Sequence, residues 1–424
     1  MVNMNKYFDG NETMSLEKRR RYYDKKIEEY TNYAYENSPF IKRHFSNYGV
    51  NPASIKGVED LVQVPIIKKE QIREAHKISP PFGDLITVPW DGLQRIYVSP
   101  GPIYDPEVCG EKRLKETKAL YSMGFRKGDR VMVTLSFHLV PAGLLFDKVL
   151  RELGAIVIPS GVGNSDVQVG IIQDLQVTGY IGTATFLMHL INVAEEMNIP
   201  FGEKIFLKKA LLTAEKIPES MRRSFEEDYG ISTGQGYGTA EVGMFAYECS
   251  EKSGMHIAEE VFVEIIDPET GMPVADGELG EVVVTHFDPT LPLIRFGTGD
   301  ISYVKKGQCN CGRTSPRLGD IVGRVGDSFK VRGMFLHEPQ VQKVISTVEG
   351  ITAGCLIVTR SEKGDWIRFR VELDNKNVEK QNIEQSLKEK FTAICRLKID
   401  QIEYCSKGTI GPGEKALIDQ REWN

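Results

Sequence analysis

The chain has no apolar run approaching the roughly 18 or more residues that a membrane-spanning helix needs, and it opens on the polar stretch Met1-Val2-Asn3-Met4-Asn5-Lys6. A helical membrane protein is thereby excluded, and a cytoplasmic location is expected. Nor is there a basic run to neutralise phosphates along a polymer. The 53 Lys and Arg against 59 Asp and Glu leave a formal charge of −6, so nucleic acid is not an expected partner. Cysteine is scarce as well: seven thiols, an odd number, are scattered over 424 residues. That usage fits reduced thiols or a metal site better than a disulfide framework. Internal repeats and low-complexity tracts are also missing.

What remains is a chain that is 41% hydrophobic, able to bury a large core and long enough for two or three domains. Residues 15 to 78 read as helices, with Leu16 to Ala34 and Lys68 to Ala75 separated by a break at Pro65. From Arg130 strands and helices alternate. Strands are expected at 130–135, 155–159, 180–182 and 210–212, with helices at 144–153, 167–175 and 186–197 between them. Such alternation predicts an α/β fold with a mainly parallel sheet, whose ligands sit at the carboxyl ends of the strands. After Glu259 short β runs at 261–266 and 281–285 flank the turn-rich Asp267-Pro268-Glu269-Thr270-Gly271 and predict a β subdomain. The last hundred residues read as a smaller α+β segment, with strands at 355–358 and 368–371 and a helix at 382–392.

Three motifs follow one another between Gly236 and Gly333. Gly236-Tyr237-Gly238-Thr239-Ala240-Glu241 sets an aromatic ring beside open backbone, where a flat base can stack, and follows it with a hydroxyl and a carboxylate suited to phosphate and magnesium. Arg295-Phe296-Gly297-Thr298-Gly299-Asp300 ends in a carboxylate that can accept from both ribose hydroxyls. Gly323-Arg324-Val325-Gly326-Asp327-Ser328-Phe329-Lys330-Val331-Arg332-Gly333 is a basic, glycine-rich connector. Together they point to a site for ATP.

On these motifs the chain resembles the adenylate-forming superfamily of acyl-CoA synthetases, and within it the phenylacetate-CoA ligase-like family. The likeness also covers Tyr33-Ala34-Tyr35-Glu36-Asn37-Ser38-Pro39-Phe40, Leu61-Val62-Gln63-Val64-Pro65, Leu153-Gly154-Ala155-Ile156-Val157-Ile158-Pro159 and Ile418-Asp419-Gln420-Arg421. The resemblance implies an AMP-binding domain over 1–323, containing the β subdomain, and a mobile α+β lid domain over 324–424. It places Thr213-Ala214-Glu215, Gly236, Tyr237, Gly238 and Thr239 around adenine and the α-phosphate, Glu241 on magnesium, Asp300 on ribose and Arg324 on ribose or phosphate. For the acyl group it points to Phe137 and His138 in a pocket wall and to Gly161 and Gly163 in the turn beside it.

Two departures from the family pattern stand out. Where relatives carry a Ser/Thr/Gly-rich phosphate loop, this chain reads Ser99-Pro100-Gly101-Pro102-Ile103-Tyr104-Asp105-Pro106. Prolines there remove amide donors and Asp105 repels phosphate, so ATP is held differently, weakly or not at all. Near the C-terminus the family's adenylation lysine aligns with Gly413, and Lys415, two residues on, is the candidate substitute.

A separate constellation joins Cys249, His256, Cys309 and Cys311. Three thiolates and one imidazole suit tetrahedral zinc, and relatives resemble this arrangement and hold a structural zinc there. The resemblance thus implies an ATP-dependent ligase that activates a carboxylic acid, aromatic by preference, as acyl-AMP and passes it to CoA. Its expected cofactors are magnesium, CoA and a structural zinc, and a homodimer is compatible with it. Two other readings stand beside it: adenylation without CoA, and a catalytically weak homologue that binds nucleotide and acid.

Overall fold

The computed structural model describes residues 6–99, 103–325, 328–332, 334–361, 364–374, 380–411 and 413–421. Pro100, Gly101 and Pro102 of the expected phosphate loop, Gly326, Asp327 and Gly333 of the connector, and Pro412 lie outside the described residues. Contacts divide the chain into two compact units, Met1–Thr298 with Tyr303–Asp320, and Gly299–Ser302 with Ile321–Asn424.

In the first unit the helix Leu16–Asn37 buries Tyr23, Ile27, Tyr30 and Ala34, the spacing of one helical face. Ser15 caps its start by accepting from the Lys18 amide, and Ser38 both ends it and caps the following helix Pro39–Asn47, with proline at the first position. A hairpin of strands β1 (Leu93–Ser99) and β2 (Ile103–Val108) follows, pairing Tyr97 with Asp105 and Ile96 with Pro106. Residues 103–106 therefore belong to a strand, which leaves only the three undescribed residues 100–102 between the two strands.

The alternating segment folds as its pattern predicts. Strands β3 (Arg130–Val133), β4 (Ile156–Ile158), β5 (Gly179–Gly182), β6 (Lys209–Leu212) and β7 (Ser232–Thr239) pair in parallel, separated by the helices Ala142–Glu152, Ser165–Asp174 and Ala184–Glu196. Strands β8 (Gly243–Tyr247) and β9 (Met255–Ile257) then extend the sheet antiparallel. The subdomain strands β10 (Val261–Ile266), β11 (Gly280–His286) and β12 (Leu293–Ser302) form a second sheet, and β13 (Arg317–Leu318) closes the edge of the large one beside β9. Tyr23 and Tyr30 of the first helix meet Phe262 and Phe287 edge-on, at centroid distances of 5.2 and 5.6 Å, which fastens the helical N-terminus to the subdomain.

Arg295 shows what part of the second motif does. It is 2% exposed, pairs with Glu264 at 3.0 Å and donates to the carbonyls of Val64 and Gly271, both at 2.9 Å. One buried guanidinium thus ties the Val62–Pro65 segment and the 267–272 turn to β12. Arg295→Ala would strand the Glu264 carboxylate in a dry site, a loss of roughly 3–5 kcal/mol. Urea denaturation checks this, and a loss below about 1 kcal/mol would mean that water reaches the pair.

The second unit has its own core. Strands Ile351–Ser361 and Gly364–Leu373 pair antiparallel, while Leu417–Asp419 and Gln401–Cys405 add on either side in parallel. The helices Glu338–Thr347 and Lys380–Cys395 cover the sheet, with Phe369 and Phe391 meeting edge-on at 5.9 Å.

Candidate functional site

The β7–β8 hairpin carries the first motif. Thr239 faces Gly243 across it, and the register shifts between Tyr237 and Gly238. At Gly238 a Cβ would collide with the Gly243 carbonyl, so the close crossing requires glycine. Thr213, at the end of neighbouring β6, donates from Oγ1 to the Gly236 carbonyl at 3.0 Å. Tyr237 is held by the edge of Phe245, centroids 5.1 Å apart, and by donation to Thr298 Oγ1 at 3.3 Å. Parallel pairing of β6 with β7 thereby gathers Thr213, Gly236 and Tyr237 at the carboxyl end of the sheet, where an α/β fold places ligands.

Ala214 adopts φ 69°, a left-handed backbone that a non-glycine residue takes only when its surroundings impose it. Its neighbour Glu215 accepts from the Thr185 amide at 2.6 Å and the Thr185 hydroxyl at 3.0 Å, so its carboxylate holds the first turn of the helix Ala184–Glu196. That job was not legible in the sequence, because residues 185 and 215 meet only through the β5–β6 crossover.

Glu241 lies in the turn after Thr239, 8% exposed, with Lys69 Nζ at 3.2 Å from Oε1. Its Oε2 and the Thr239 hydroxyl are buried and have no hydrogen-bond partner among the described residues. A buried carboxylate oxygen without a donor is costly unless something hard and positive meets it, so this side chain fits the magnesium role that the motif assigns. Lys69 was not anticipated, since nothing in Lys68-Lys69 at a helix start distinguishes a site residue from a solvated one. Beside Glu241 stands Asp105, 6% exposed, whose carboxyl is pushed up to about 7, by burial first and then by the Glu241 carboxylate.

Phe137 is half-buried in the turn after β3 and packs against the core, with Gly143 and Gly161 near its ring; a Cβ at Gly161 would lie 3.9 Å from it. The Gly161–Gly163 turn is fixed by Gln168, whose side-chain amide donates to both carbonyls, at 3.1 and 2.7 Å. His138 is exposed, with its backbone amide donating to Ser136 Oγ. The structure thus brings Phe137, Gly161 and Gly163 together and leaves the His138 ring in solvent.

In the second unit Arg324 Nε lies 3.1 Å from Asp300 Oδ1, on residues that face each other between β12 and the strand Gly323–Arg324. Lys415 is exposed in the loop before Leu417–Asp419, and Gly413 takes φ 93°.

Cys249, His256, Cys309 and Cys311 converge: all four are buried, and their ligand atoms lie within 4.8 Å of one another. Cys249 Sγ is 3.6 Å from Cys309 Sγ, and Cys311 Sγ is 3.3 Å from His256 Nε2. Tetrahedral zinc with bonds of about 2.3 Å to sulfur needs ligand separations of roughly 3.5–3.8 Å, so the set fits that ion. Ser315 Oγ at 3.2 Å from His256 Nδ1 orients the ring as an outer partner of a metal-bound histidine would. Hydrogen bonding with Cys249, and also with His256 and the Arg313 amide, holds the Cys311 thiol far below its usual value.

Comparison with known proteins identifies the family. Residues 113–287 match the family of AMP-binding enzymes. The chain is 31% identical to phenylacetate-coenzyme A ligase of Thermus thermophilus over 364 residues, 83% of this chain and 80% of that protein. It is 30% identical to phenylacetate-coenzyme A ligase of Escherichia coli over 383 residues, 87% of this chain and 86% of that one. A 2-hydroxyisobutyryl-CoA ligase solved in an open conformation with 2-HIB-AMP and CoA superimposes with a TM-score of 0.87 at 24% identity, over 96% of this chain and 93% of its own. That likeness establishes the fold, an adenylate-forming α/β architecture. With this fold and a relative at 31% identity over 83% of this chain, the chain belongs to the phenylacetate-CoA ligase-like family of adenylate-forming enzymes.

Proposed function

We propose that the protein is an ATP-dependent acid-CoA ligase working in two half-reactions. In the first, a carboxylate oxygen attacks the α-phosphorus of ATP; the bond to the β-phosphate oxygen breaks and pyrophosphate leaves. In the second, the CoA sulfur attacks the acyl carbonyl carbon, the bond to AMP breaks, and the thiol proton is lost to solvent. The observation that carries this reading is the convergence of Thr213, Tyr237, Thr239 and Glu241 on one glycine-lined hairpin at the carboxyl end of a parallel sheet.

Tyr237 stacks on adenine from a ring already fixed by Phe245 and Thr298, so little freedom is lost on binding. Thr239 donates toward the α-phosphate, and Glu241 holds magnesium. Bound magnesium supplies neutralisation of the phosphates as one anion approaches another. Asp300 accepts from the ribose hydroxyls, Arg324 steadies ribose or phosphate, and Lys415 contacts the reacting carboxylate. Residues 1–323 serve as the AMP-binding domain and 324–424 as the mobile one. The acid is aromatic, seated against Phe137 with Gly161 and Gly163 giving room for its approach. The four-ligand cluster holds a structural zinc. A cytoplasmic location keeps its thiols reduced, and a homodimer is the proposed assembly.

Pyrophosphate release, followed with ATP and magnesium against a panel of aromatic, aliphatic and hydroxy acids with and without CoA, tests the reading. The expected result is aromatic-acid-dependent release together with CoA-dependent thioester. Release that ignores CoA would replace the ligase by an adenylating enzyme. No release with any acid from folded, zinc-replete protein would leave a binding homologue.

A further inference from the structure

The β1–β2 hairpin puts a second carboxylate beside Glu241. Asp105 is 6% exposed, and neither of its carboxylate oxygens has a hydrogen-bond partner among the described residues. Glu241 Oε2 is in the same condition. Both side chains line one small cavity, with Tyr97, Arg113, Gly243 and His286 in its wall.

Several polar groups around it have partners of their own, while His286 Nδ1 has none among the described residues. Arg113 pairs with Glu111 at 2.9 Å, Tyr97 donates to Glu107, and His286 Nε2 faces Lys115 Nζ at 2.7 Å. Lys69 Nζ lies 3.2 Å from Glu241 Oε1. Three buried carboxylate oxygens with no hydrogen-bond partner among the described residues, on two side chains that line one cavity, are a poor arrangement for a core and a good one for a hard divalent cation, which takes oxygen ligands and offsets negative charge.

We propose that Asp105 and Glu241 together form a divalent-cation site that loads magnesium or manganese before any nucleotide arrives. Asp105 is the additional ligand, brought in by a strand where relatives are expected to use a hydroxyl-rich loop. The cation then waits where the β- and γ-phosphates will lie, and turns the anionic departure in the loop into a phosphate-binding feature. This deepens the ligase reading, since only that reading gives the loaded cation a use; cation binding itself does not depend on it.

The test is Mn2+ titration of the full-length, zinc-replete protein without nucleotide, read by the loss of free Mn2+ signal in electron paramagnetic resonance. One Mn2+ per chain is expected, and Asp105→Asn and Glu241→Gln should each weaken it by about tenfold or more. Lys69→Met, which removes the competing ammonium, should tighten it. Thermal melting confirms that each variant is folded, and Asp105→Ser serves if Asp105→Asn is not. No binding by the wild type at millimolar Mn2+, or wild-type affinity in the folded Asp105 variant, would overturn the site. Pyrophosphate release without Asp105-dependent Mn2+ binding sinks this site alone; Asp105-dependent binding without any acid activation sinks the ligase reading alone.

Discussion

Exchange of Glu241 for glutamine is expected to lower acid-dependent pyrophosphate release by about a thousandfold, roughly 4 kcal/mol of transition-state stabilisation, while leaving the fold intact. Adenylation brings a carboxylate against a polyanion, and a bound cation does more than any other group in such a site to reduce this repulsion. Glutamine keeps the shape of the side chain and a carbonyl oxygen for Lys69, so packing is preserved. It also relieves Asp105 of a like charge in a buried cavity, so melting should stay level or rise. The measurement is kcat for pyrophosphate release beside thermal melting. A loss below about tenfold in a protein that melts like the wild type would show that Glu241 does not hold the catalytic cation.

Cys311→Ser, or metal removal by a strong chelator, is expected to cost the protein its zinc and lower the melting temperature on the order of 10 °C. The loop that carries Cys309 and Cys311 is also the anchor of the N-terminal segment. Tyr7 donates to the Cys311 carbonyl at 2.8 Å, Arg313 pairs with Glu12 at 2.6 Å, and Thr314 donates its amide to the Glu12 carbonyl at 3.0 Å. Arg19 then links Thr314 at 2.9 Å to Glu259 at 2.9 Å, and Glu259 meets the fully buried Lys118 at 2.7 Å. Loss of the ion should therefore unfasten residues 7–19 as a unit. Hydrogen exchange read by mass spectrometry should show faster exchange there while the core of the second unit is unchanged. If the purified protein holds no zinc and Cys311→Ser melts like the wild type, the cluster is three packed thiols and a histidine.

Elements legible in the sequence are those fixed by periodicity. The strand at 261–266 and the helices around 144–153 and 186–197 have observed limits within a few residues of the predicted ones, because alternation and 3.6-residue spacing are written locally. The strand predicted at 355–358 runs in fact from Ile351 to Ser361. Its ends are set by pairing with Gly364–Leu373, which a local window does not contain. The loop expected at 99–106 is mostly strand for the same reason, since partners on Leu93–Ser99 draw Ile103–Pro106 into a hairpin.

The α/β alternation, the order of the nucleotide motifs and the four soft ligands are written in the chain alone, because each depends on which residue types stand at which spacing. Their occupations are not. Folding committed Arg295 to Glu264 and Glu215 to Thr185, and it left Glu241 Oε2 and both Asp105 carboxylate oxygens without a hydrogen-bond partner among the described residues, beside one cavity. The physical reason is that burial and partnership are properties of chain segments brought together across tens to hundreds of residues. A carboxylate's role follows from whether a donor, a cation or neither meets it there.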